Sequence, residues 1–120
     1  MKLAVTSQGD NLDSAVDLRF GRAKCFVVFD TETEAFSVAD NHQNLNAAQG
    51  AGVQAAKNIV DLGVQAVVTG HVGPKAFATL LAGGVAVYTG AGGTVADAIK
   101  QFRTNSLRQS TVADVEGHWV

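Results

Sequence analysis

The chain of 120 residues is the size of one domain, and with 47% apolar residues it has enough to build a core. Its single cysteine, Cys25, excludes an internal disulfide framework and a metal cage made only of thiolates from one chain. The formal net charge of −2, nine scattered Lys and Arg, and the lack of any long apolar run argue against nucleic acid and against a membrane span, and predict a reduced, cytoplasmic protein.

Met1-Lys2 runs directly into Leu3–Thr6, a short apolar stretch that reads as a first strand, with neither the apolar length nor the cleavage site of a signal peptide. A polar loop follows to about Ala23 and carries Gly9, Asp10, Asn11 and the segment Arg19-Phe20-Gly21-Arg22. Cys25–Phe29 predicts a second strand. The turn cluster Asp30-Thr31-Glu32-Thr33 and the run Ala35–Ala39 complete a hairpin. After a loop rich in Asn and Gln, from Asp40 to Gly50, apolar residues recur at Val53, Ala56, Ile59, Val60 and about Leu62. That is helical spacing, and Gly63 is its stop. Ala66-Val67-Val68 is apolar throughout, as a strand covered on both faces would be. Pro74, the only proline, suits the first position of a second helix that carries Phe77, Leu80 and Leu81 and ends at Gly83-Gly84. Val85–Tyr88 predicts a fifth strand. Thr94 is placed to cap a third helix with Val95, Ala98, Ile99 and Phe102 on one face.

The order β-β-β-α-β-α-β-α predicts an α/β domain with a mixed five-stranded sheet, spatial order 3-2-1-4-5, flanked by helices in an RNase H-like three-layer arrangement. Residues 1–104 form this domain in the prediction, and 105–120 form a tail ending in Trp119 and Val120.

In that topology strands 1, 3, 4 and 5 point the same way, so the loops after them share one edge of the sheet. Three lead into helix N-termini and are Gly-rich: Gln49-Gly50-Ala51-Gly52, Gly70-His71-Val72-Gly73-Pro74 and Gly90-Ala91-Gly92-Gly93. The fourth carries Arg19 and Arg22. Helix N-termini present unpaired N–H groups and partial positive charge, and glycine admits a bulky ligand to the backbone, so this edge suits an anion. Each of these loops alone is ordinary turn chemistry. The candidate contacts are Arg19, Phe20, Gly21, Arg22, Gly50, Gly52, Gly70, His71, Gly73, Gly90, Gly92 and Gly93, with His71 also the candidate metal ligand. His42 lies in the polar loop and His118 in the tail, and no two histidines have a metal-site spacing on one element. Cys25 reads as a buried small apolar residue. Neither a Gly-x-Ser-x-Gly nor a Walker loop occurs, and strand 1 offers no carboxylate for two-metal nuclease chemistry.

The run Asp17-Leu18-Arg19-Phe20-Gly21-Arg22-Ala23 followed by Phe26, together with Gln49-Gly50-Ala51-Gly52, Gly70-His71-Val72-Gly73-Pro74-Lys75-Ala76 and the segment ending at Tyr88, resembles the dinitrogenase iron-molybdenum cofactor biosynthesis family over about residues 1–104. That family includes NifX, NafY, the C-terminal region of NifB and the orange protein. The resemblance implies a non-enzymatic protein that holds or carries an anionic metal–sulfur cluster, containing molybdenum with copper or iron, or its precursor. It also implies cluster donors, acceptors or regulatory proteins as partners. NifX-type members often have histidine where this chain has Arg19. A guanidinium cannot ligate a metal but can hydrogen-bond an anionic sulfide, which brings the chain nearer the orange-protein type. Two other readings stay open: a metal-free adaptor domain, and a phosphate or nucleotide binder at the same edge.

Overall fold

A computed structural model of the chain describes residues 1–41 and 51–110. The expectations for His42, Gly50, His118, Trp119 and Val120 lie outside those residues. Strand β1 (Lys2–Ser7) is buried from its second residue onward. It pairs antiparallel with β2 (Cys25–Asp30), Lys2 opposite Asp30 and Ser7 opposite Cys25. A tight turn then leads to β3 (Phe36–Asp40). In that turn the Asp30 carboxylate accepts the Glu32 N–H at 2.8 Å, and Glu34 takes the left-handed conformation at φ 63°. Helix α1 (Ala51–Asp61) crosses over to β4 (Ala66–Val68), which lies parallel to β1. Helix α2 (Pro74–Ala82) crosses to β5 (Ala86–Thr89), parallel to β4, and helix α3 (Val95–Arg103) follows.

Among the described residues the sheet has six strands, in the order β3-β2-β1-β4-β5-β6. The expected five-stranded sheet is therefore corrected by one edge strand, β6 (Arg108–Gln109), which runs antiparallel to β5. Two residues are too few to show strand periodicity. What holds β6 is long-range: the Ser110 N–H donates to Val87 O at 2.8 Å, and the Thr89 and Ser110 hydroxyls share a buried bond of 2.9 Å.

The alternation of β1 divides two cores. Ala4 faces one side, where Phe20, Phe26, Ile59, Phe77 and Leu80 pack under α1 and α2. Leu3 and Val5 face the other, with Val27, Val68, Val95 and Ile99 under α3. Each large side chain that is fully buried here contributes about 1.5–3 kcal/mol. Among the described residues no helix is long and apolar enough to cross a membrane.

The caps of the last two helices differ in a way that matters for the site. Pro74 starts α2 behind Gly73, which has no side chain to cap it. Thr94 caps α3 in a reciprocal box: its hydroxyl accepts the Asp97 N–H at 3.1 Å, and the Asp97 carboxylate accepts the Thr94 N–H at 3.0 Å. Thr94→Ala is expected to cost about 1 kcal/mol in urea unfolding at neutral pH. The capping bonds from Thr94 hold the Asp97 carboxyl below its usual range. A depressed carboxylate stabilises the fold above its unfolded value, about 3.9, and that contribution fades as pH falls through the lower folded value. The stability gap between wild type and Asp97→Ala should therefore narrow on acidification; a gap that widens contradicts the cap.

Candidate functional site

Because β1, β4 and β5 are parallel, their carboxyl ends meet at one edge. The chain leaving β1 folds back over that edge. Val16 bridges to Ser7, and the Asp17 N–H donates to Thr6 O at 2.9 Å. The Thr6 hydroxyl donates to Asp17 O at 2.7 Å and shares a 2.8 Å hydrogen bond with the Thr69 hydroxyl at the end of β4. Arg19 then forms a parallel bridge with His71. The His71 N–H donates to Leu18 O at 2.8 Å and the Phe20 N–H to His71 O at 3.1 Å. Two expected site residues, far apart in sequence, thus become backbone neighbours with exposed side chains.

Three glycines make this convergence sterically feasible. A Cβ on Gly21 would lie 2.8 Å from the Gly52 Cα, and one on Gly70 would lie 2.7 Å from Leu18 O. Gly52 is a buried residue in the first turn of α1, where the sequence suggested a loop. Phe20 requires a correction. It was expected to touch a ligand, yet it is 1% exposed, stacks on Phe26 with ring centroids 6.2 Å apart, and anchors the loop in the α1/α2 core. Gly21, Gly52 and Gly70 are likewise buried contacts between chain segments.

The helix N-termini are not equivalent. At α3 the first four donors are all engaged: the Thr94 N–H by Asp97, Val95 by Ser14 O at 2.8 Å, Ala96 by Leu12 O at 2.9 Å and Asp97 by Thr94. The expectation of unpaired N–H groups there is overturned by the returning β1 loop. The loop before α3 is also tied down. The Gly90 N–H donates to Gly70 O at 3.1 Å and Ala91 to Thr69 O at 3.2 Å, while Gly90 and Gly93 take φ of 87° and 81°. At α2 no side chain caps the end, and none of the described residues accepts from the Lys75 or Ala76 amide. That terminus, beside His71 and with the exposed Lys75 in its first turn, keeps donors for an anion.

Two ionisable groups at this edge shift from their usual range. Burial pushes the Asp17 carboxyl up, opposed by the Arg19 N–H and the Arg19 charge. Burial also pushes the Cys25 thiol up. Cys25 donates to Gly9 O at 3.0 Å. Strand alternation places it on the α3 side with Val27 and Phe29, at a cavity of about 330 Å³ lined by Gly9, Asp10, Lys24, Val38 and Asp40. It is thus on the opposite face of the sheet from Phe20. Among the described residues no group of three His, Cys, Asp or Glu could hold a metal ion. At the edge itself the described residues offer backbone N–H groups, the Arg19 guanidinium and the His71 imidazole.

The profile of the dinitrogenase iron-molybdenum cofactor family matches residues 1–105. The chain belongs to that family. Within reach of the dinitrogenase iron-molybdenum cofactor proteins, it is similar to the apo form of the orange protein from Desulfovibrio gigas, at 37% identity over 95% of this chain and 96% of that one, with a TM-score of 0.92. It is also similar to a NifB-like protein from Thermotoga, at 35% identity over 95% and 98% of the two chains and a TM-score of 0.80. An uncharacterised protein of Methanocaldococcus jannaschii is 26% identical over 91% of each chain. Two residues that stand at this family member's edge were not singled out as contacts from the sequence, Asp17 and Lys75. Both lie inside the motif runs, and only the uncapped α2 and the Arg19 amide give them a place.

Proposed function

We propose that this protein holds an anionic metal–sulfur cluster, or a precursor of one, by non-covalent contacts at the carboxyl edge of its sheet, and passes it on without catalysing a reaction. The observation that carries the reading is the Arg19–His71 bridge beside the uncapped N-terminus of α2, in a chain of a family whose name refers to the iron-molybdenum cofactor. Arg19 and Arg22 supply fixed positive charge and planar donors, and the α2 amides supply oriented N–H groups. Gly73, Gly90, Gly92 and Gly93 keep side chains out of the ligand's way, and Gly50 lies outside the described residues. His71 donates a hydrogen bond to the cluster, or a single nitrogen to one of its metals.

The cargo proposed is a molybdenum sulfide with copper or iron, a reading supported by the iron-molybdenum cofactor in the family's name and by the likeness to the orange protein. Sulfur atoms at the cluster surface accept from several donors at once, and each hydrogen bond to a charged acceptor is worth roughly 1.5–3 kcal/mol. No protein–metal bond is needed for firm retention. An RNase H-like frame, a cytoplasmic setting, and donor or acceptor proteins for the cluster complete the proposal.

The test is an anaerobic titration of the apo-protein with tetrathiomolybdate and copper(I), followed by gel filtration, metal analysis and a visible spectrum. A coloured complex of fixed stoichiometry is the expected result. A colourless, folded protein with all the metal in the small-molecule fraction rejects the reading, and a rise in melting temperature with nucleotides instead would favour phosphate-ester binding.

A further inference from the structure

We propose that Asp17 is the positioning residue of the site: its buried carboxylate fixes the peptide from which Arg19 reaches the ligand, without touching the ligand itself. The proposal rests on the functional reading above and names a part of its machinery.

Asp17 is 7% exposed and makes three hydrogen bonds to two residues, Thr6 and Arg19. Its N–H and C=O are both held by Thr6, at 2.9 and 2.7 Å, and through Thr6 they connect to Thr69. Its Oδ1 accepts the Arg19 N–H at 3.0 Å. Around Arg19, Leu18 O and the Phe20 N–H are committed to His71. In a parallel bridge of that kind the N–H and C=O of the middle residue point away from the partner strand. The Arg19 N–H is therefore outside the reach of His71, and the Asp17 carboxylate is its acceptor among the described residues. The side chain of one residue thus closes the open side of a bridge whose other side is closed by His71.

Charge alone gives no reason for a carboxylate here. Asp17 lies two residues from a guanidinium assigned to an anion, and a negative charge at that distance repels the same anion. Burial also disfavours its charged form. A short acceptor that folds back onto the N–H two residues ahead is, however, what Asp and Asn side chains supply. Geometry and charge then make opposite predictions for two variants. Asp17→Asn keeps an oxygen for the Arg19 N–H and loses the repelling charge. Asp17→Ala loses both.

The experiment uses the full chain, with tetrathiomolybdate plus copper(I) as the probe. Asp17→Asn should bind it at least as tightly as wild type. Asp17→Ala should bind about tenfold or more weakly, although a repelling charge has gone. In ligand-free protein, the Arg19 amide should exchange with deuterium faster in Asp17→Ala and at the wild-type rate in Asp17→Asn. In an Arg19→Ala background, Asp17→Ala should weaken binding no further. Equal tightening in both single variants assigns Asp17 a purely electrostatic part and overturns the proposal, as does a wild-type Arg19 exchange rate in Asp17→Ala. If Asp17→Ala does not fold, Asp17→Asn decides: wild-type exchange at Arg19 with undiminished binding supports positioning, and faster exchange or weaker binding overturns it. A wild-type protein that takes up no probe removes the functional reading and this proposal together. A wild type that binds, with two variants that bind alike, removes the role of Asp17 alone.

Discussion

Gly70→Ala is expected to lower stability by about 2–4 kcal/mol, the sum of an overpacking cost and one strained backbone hydrogen bond. The new Cβ would lie 2.7 Å from Leu18 O and 2.8 Å from the Leu18 Cα. Both are main-chain atoms, so no side-chain rotation relieves the clash. The relief available is for residues 18–20 to move outward, which stretches the 2.8 Å bond from the His71 N–H to Leu18 O. The same movement carries Arg19 away from His71, so the loss of stability and the loss of site geometry have one cause. Gly92→Ala is the control. Nothing lies within 4 Å of its added Cβ and its φ is not left-handed, so its midpoint should stay within about 0.5 kcal/mol of wild type. Urea unfolding of the three proteins checks the prediction; equal midpoints for the two variants would show that the backbone at Gly70 yields freely. Gly21 poses the same steric problem against the Gly52 backbone, 2.8 Å from its Cα.

What the sequence made legible was whatever depends on local pattern. The meander followed by alternating helices yields the order of the first five strands, because short hairpin turns and right-handed crossovers leave few alternatives. Thr94 announced its own cap, and Pro74 its own helix start. The failures all came from contacts between distant segments. Phe20 sits in a polar, glycine-containing run, and nothing local says that its ring turns inward to join Ile59, Phe77 and Leu80 in the core. The donors of α3 looked open because Ser14 and Leu12, which fill them, are about eighty residues away in the chain. Strand β6 was missed because a two-residue pairing has no periodicity to detect. Of the candidate edge, the sequence identified the loops correctly as neighbours in the case of Arg19, Gly70, His71 and Gly90. It could not separate residues that project from that edge from residues that pack beneath it, since glycine and phenylalanine serve either purpose.

The second large effect is expected at the arginines themselves. Changing Arg19 and Arg22 together to alanine should weaken uptake of a thiomolybdate–copper anion by a factor of about 10²–10⁴, from two charge-assisted bonds of roughly 1.5–3 kcal/mol each. The exposed Arg19 and the half-buried Arg22 flank the buried Phe20-Gly21 pair, which anchors the loop in the core. The unfolding midpoint of Arg19→Ala alone should therefore stay near that of wild type, which separates lost binding from lost fold. Arg19→Lys with Arg22→Lys retains the charge and discards the planar fork, so its affinity should fall between the two. Raising salt should weaken wild-type binding more than that of the double alanine variant, because screening acts on charges that the variant no longer has. If the double alanine protein binds with wild-type affinity and salt dependence, the anion sits elsewhere, and the uncapped α2 terminus with Lys75 becomes the part of the edge to change next. If affinity falls while α2 and its neighbours stay folded, the guanidinium groups supply the main hold on the cargo, and the α2 amides orient what the arginines attract.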